Sequence, residues 1–72
     1  MPNPFQDMKD ADLVRIYNDY QDWCNTGFIR EGSDLSELRD QYKQEYGSSS
    51  ILILERDFLR ECAQRFCRDH QA

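Results

Sequence analysis

The sequence predicts an all-α chain, a small three-helix bundle with an extended N-terminal arm. Two observations predict it. Three segments repeat apolar residues at helical spacing, and glycine-containing stretches (Asn25-Thr26-Gly27, Gly32, Gly47-Ser48-Ser49) separate them. No pair of segments alternates apolar and polar residues in the manner of two partner strands. With 72 residues the chain suits a single helical domain over 1–72, with an arm at 1–7 and helices at about 9–26, 34–46 and 49–69.

The arm carries Pro2 and Pro4 and reads as extended chain. Its Asn3-Pro4-Phe5 resembles the tripeptide bound by eukaryotic endocytic EH domains, which implies a short docking motif. The alternative is a turn followed by an aromatic plug, with Phe5 packed over a helix end.

In the first helix, Leu13, Ile16, Tyr17, Tyr20, Trp23 and Cys24 cover an arc of about 120° on a wheel. Asp10 and Asp12 occupy its first turn, where negative charge meets the positive end of the helix dipole. Gly27 suits a left-handed C-terminal cap. Asp34 opens the second helix, with Glu37 at capping-box spacing. Leu35, Leu38 and Tyr42 form a narrow stripe, so this helix is expected at the surface, contributing least to the core. The third helix carries apolar residues over about half its wheel and is expected to be central. Ile51 to Leu54 also suits a short strand, but a lone strand leaves its backbone unpaired, so helix is favoured.

The formal charge is −5 and uneven. Residues 1–50 hold ten acids and five bases, whereas residues 51–72 hold four of each. A net negative surface repels phosphate backbones and argues against direct nucleic-acid binding. No stretch approaches the ~20 apolar residues of a membrane span, so no membrane role is expected. Three cysteines (Cys24, Cys62, Cys67) cannot close a disulfide framework within one chain. With no signal peptide expected, a cytoplasmic location follows.

Little points to chemistry. Cys67 and His70 lie three apart, but a structural zinc site wants four ligands in matched pairs, so no metal and no cofactor are expected. A cysteine nucleophile needs a base, and His70, the lone histidine, sits near a helix end. A core this small leaves no room for an interior ligand pocket of ~300 Å³ or more. The chain therefore reads as non-enzymatic, with no catalytic residues.

What remains is association. A domain of this length buries only ~60% of its unfolded surface, which favours a partner. Val14, Phe28 and Ile53 project outside the apolar arcs, and Phe5 joins them as arm. Glu55 falls inside the apolar arc of the third helix. It reads either as a buried acid fixing a partner's register or as an ordinary acid in the helix's first turns. Asp19 and Asp22 contribute an acidic rim. These seven residues form the candidate surface of a helical protein-interaction module. Such a module is an accessory or regulatory subunit, or a homo-oligomer, whose partner is another protein or a second copy. Arg56, Arg60, Arg65 and Arg68 interleave with acids and read as a solvated face. A second reading uses Asp7, Asp10, Asp12, Asp19 and Asp22 as a phosphate mimic that inhibits a DNA- or RNA-binding enzyme.

Overall fold

A computed structural model of the chain describes residues 3–71. The first two positions of the expected arm, and position 72, lie outside the described residues. The fold is all-α. Helices α1 (Asp10–Thr26), α2 (Asp34–Tyr46) and α3 (Ser50–His70) are accompanied by short 3₁₀ turns at Pro4–Asp7 and Gly47–Ser49. No strand occurs among the described residues, and Ile51 to Leu54 are the start of α3.

The arm departs from expectation. It is a 3₁₀ turn, not extended chain, at Pro4–Asp7. The Asn3 side chain accepts from the Phe5 amide at 2.9 Å, and Pro4 presets the backbone angle at the first position. This winds Phe5 inward, where its ring centroid lies 5.5 Å from that of Phe58 and 6.3 Å from that of Tyr42.

At the start of α1 the Lys9 amide donates to the Asp12 carboxylate at 3.3 Å, which offsets a poor capping residue. Gly27, at φ 81°, ends the helix in the left-handed conformation and donates its amide to the Trp23 carbonyl at 2.8 Å. The cap of α2 is Ser33, one residue before the expected Asp34. Its hydroxyl accepts from the Ser36 amide at 3.2 Å. Gly47, at φ 66°, turns the chain into α3.

The eight buried apolar side chains correct the expected ranking of the helices. Three come from α2 (Leu35, Leu38, Tyr42), two from α1 (Leu13, Ile16), two from α3 (Leu54, Phe58), and the last is Phe5. Helix α2 packs closely on both α3 and α1. Its stripe is narrow but lies deep, because Ser33 and Ser36 are small enough to be buried beside it. Helices α1 and α3 meet through long side chains instead. The Tyr20 ring lies 5.7 Å from Phe58, Tyr20 donates to Glu55, and Arg65 pairs with Asp10. Among the described residues, no helix is long and apolar enough to cross a membrane.

Candidate functional site

Six large apolar side chains remain between 40% and 76% exposed: Val14, Tyr17, Phe28, Leu52, Leu59 and Phe66. Their placement follows from helix geometry. Two contacts set α1 and α3 antiparallel, since residue 10 pairs with 65 and residue 20 with 55. On the flank of α1 that faces α3, positions 10, 14, 17, 21 and 24 recur at alternating steps of four and three. On the matching flank of α3, positions 52, 55, 59, 62 and 66 do the same. Five of the six exposed apolar residues sit on these two rows, and Phe28 follows the end of α1.

Between the rows runs an open groove of about 320 Å³, with Leu13, Val14 and Tyr17 on one side and Cys62, Arg65 and Asp69 on the other. It opens because the core side of each helix turns toward α2. Two further surface depressions, of about 380 and 530 Å³, lie over α1–α2 and over the α2–α3 connection. All three open at the surface.

Charges on this face are internally engaged. Arg65, with a side chain 13% exposed, donates to Asp10 and Glu61 at 2.8 Å each and to the backbone carbonyls of Phe5 (3.1 Å) and Met8 (2.6 Å). Those carboxylates hold its guanidinium above its usual pKa. This corrects its expected place on a solvated face: Arg65 clasps the N-terminal turn to α3. Glu55 accepts from the Tyr20 hydroxyl at 2.9 Å, and that bond is the main reason the phenol is pushed above its ordinary pKa. Asp69 pairs with Arg68 at 3.1 Å. Burial pushes the Cys62 thiol up, against a smaller downward pull from Arg65.

The seven residues singled out from sequence do not form one surface. Phe5 is 0% exposed and belongs to the core, so Asn3-Pro4-Phe5 is folded into the domain rather than presented. Asp19 is buried and ion-paired with Arg30 at 3.1 Å, because the connection after α1 folds back over it. Ile53 packs against the core from the far side of α3. Asp22 is exposed, on the back of α1. Phe28 is exposed beyond the α1 cap. Val14 alone of the seven borders the groove.

The wheels place Tyr17 in the apolar arc of α1 and Leu52, Leu59 and Phe66 in the half-wheel apolar face of α3, so the core is expected to take them, yet all four are exposed. The signal for them lay in the width of the α3 arc: half a wheel exceeds what a helix can bury against two neighbours in so small a domain. Asp57 and Glu61, two of the acids that interleave with the α3 arginines and so are expected to be solvated, are buried. Asp57 accepts from its neighbour Arg56 at 3.1 Å and from the Tyr42 hydroxyl at 2.9 Å, a partner 15 positions away that no local spacing announces. Among the described residues, no three His, Cys, Asp or Glu side chains gather where they could hold a metal. No family model, curated protein or solved structure matches the chain.

Proposed function

We propose that the chain is a non-enzymatic protein-interaction module, an accessory or regulatory subunit, whose docking surface is the α1–α3 face. The observation that carries this reading is the exposure of Val14 and Tyr17 along the groove and of Leu52, Leu59 and Phe66 on the adjoining row of α3. Apolar side chains scattered singly are ordinary, whereas a contiguous row marks a binding surface. In this reading the molecule is an incomplete three-helix bundle. The missing layer is a helix that a partner lays into the groove with i, i+3, i+4 and i+7 anchors. Three unpaired thiols suit a reducing, cytoplasmic setting.

The acidic-mimic reading is weaker. Of the five acids it needs, Asp10, Asp12 and Asp19 are bound to Arg65, Arg15 and Arg30. Each neutralised carboxylate removes one imitation phosphate.

Capture from the native host distinguishes the two. A docking face predicts that Phe66→Asp abolishes capture, that Asp22→Asn leaves it intact, and that binding persists between about 50 and 200 mM salt. A phosphate mimic loses affinity steeply over that range. Capture that survives Phe66→Asp and Leu59→Asp rejects the proposal.

A further inference from the structure

We infer that the occupant of the α1–α3 face is a second copy of this chain, docked by twofold antiparallel pairing of α3 about Leu59. The inference rests on the docking-face reading above and adds the identity of the partner. Three observations carry it.

The first is charge. A chain at −5 repels its own copy wherever its acids face outward. The excess lies in residues 1–50, while residues 51–72 carry four acids and four bases. On the face itself Asp10 is bound to Arg65, Glu55 to Tyr20 and Asp69 to Arg68. Asp12 and Asp19 point to other sides of α1, toward Arg15 and Arg30. The face is thus largely apolar, with Asp10 and Asp69 ion-paired and only Glu55, held by the neutral Tyr20, and Glu61, which shares Arg65 with Asp10, left to repel a second copy.

The second is area. Helix α3 has 21 residues and is about 31 Å long. Two adjacent helices present a face about 20 Å wide, hence about 600 Å². Two copies together cover about 1,200 Å², the lower edge of stable interfaces. The chain exposes 5164 Å², against about 4,700 Å² for a folded monomer of its 8.6 kDa. The excess has the sign expected of a protomer separated from its mate.

The third is register. Antiparallel pairing centred on Leu59 sets Leu59 against Leu59, Leu52 against Phe66, and Glu55 beside the uncharged Cys62 of the mate. Since Ile16 lies level with Leu59, the same twofold brings Val14 to Tyr17 across the interface. Parallel pairing instead opposes Glu55 to Glu55, like charges in a drying contact.

The test is the mass of the full chain in solution, with single cysteines placed in a Cys24→Ser, Cys62→Ala, Cys67→Ser background. The expected result is a species of about 17 kDa, twice 8.6 kDa, that dissociates on dilution. Leu59→Asp weakens self-association at least about 30-fold, as for a central anchor, with helicity retained. Leu59→Cys forms a disulfide-linked dimer on oxidation. Leu52→Cys does not, because its two copies lie about 21 Å apart along the helix axis. A dimer that cross-links through position 52 and not 59 overturns the proposal, and so does a chain that stays monomeric at millimolar concentration. In the monomeric case an anilinonaphthalene dye separates the failures. Dye binding that Phe66→Asp removes leaves the docking face standing and rejects the second copy alone. Absence of dye binding rejects both.

Discussion

Replacing Phe5 with alanine tests the placement of the N-terminal turn. The Phe5 side chain is fully buried, with ring centroids 5.5 Å from Phe58 and 6.3 Å from Tyr42. Truncating a buried phenylalanine costs about 3–5 kcal/mol in lost transfer energy and residual cavity. A 72-residue domain has about 4–11 kcal/mol in total, so Phe5→Ala removes between about a quarter and all of it. With an unfolding entropy of about 0.15 kcal/mol/K for this length, a loss of 3 kcal/mol lowers Tm by about 20 °C. At a urea slope of about 1 kcal/mol/M the midpoint falls by about 3 M. Circular dichroism at 222 nm, followed against temperature and urea, reads both. Phe28→Ala is the control, since a side chain 76% exposed changes stability by about 0.5 kcal/mol or less. If Phe5→Ala and Phe28→Ala unfold together within about 1 kcal/mol of the parent, the turn is not part of the core and the reasoning fails.

Three further outcomes are expected. Arg65→Met strands the Glu61 carboxylate (side chain 11% exposed) and frees the Phe5 and Met8 carbonyls, for a loss of about 3 kcal/mol in urea unfolding. Arg65→Lys does not restore it, because one ammonium cannot reach partners on both sides of a planar fork. Alkali should destabilise the fold. Burial and then the Asp57 bond raise the Tyr42 pKa, and the Glu55 bond raises that of Tyr20. The unfolded phenols ionise near pH ~10 while the folded ones stay protonated, so stability is full below that pH and falls above it. Tyr42→Phe flattens that slope in pH-dependent unfolding, and an unchanged slope contradicts the assignment. Among the thiols, a colorimetric disulfide reagent should modify exposed Cys24 and Cys67 first and half-buried Cys62 last, as followed by mass spectrometry.

Periodicity carried much of the fold. The apolar rows at 13–24 and 51–66 and the glycines at 27 and 47 locate α1, α3 and two helix ends, because those features depend on neighbours within a turn. Features built across the chain were not legible. Helix α2 was ranked last from its narrow stripe, yet Ser33 and Ser36 let it sit deep between the others. Asp19, Asp57 and Glu61 carry no mark of burial, since Arg30, Tyr42 and Arg65 supply their partners from 4 to 15 residues away. Glu55 was visible as an acid within an apolar arc, but its partner Tyr20, 35 residues distant, was not. The candidate surface suffered most. A wheel shows that a face is apolar, and only tertiary placement shows which part of that face is left over.

The clasp of Arg65 on the Phe5 and Met8 carbonyls spans 60 and 57 positions along the chain. Translation delivers Phe5 early, whereas Phe58 and Arg65, which enclose it, come some fifty to sixty codons later. At about 5–20 residues per second that interval is roughly 3–12 s. Until the chain has grown that far, Phe5 lacks the Phe58 ring and the Arg65 clasp that enclose it. Closure of the loop between them therefore cannot precede synthesis of Arg65, and a chain terminated before Arg65 has no means of completing it.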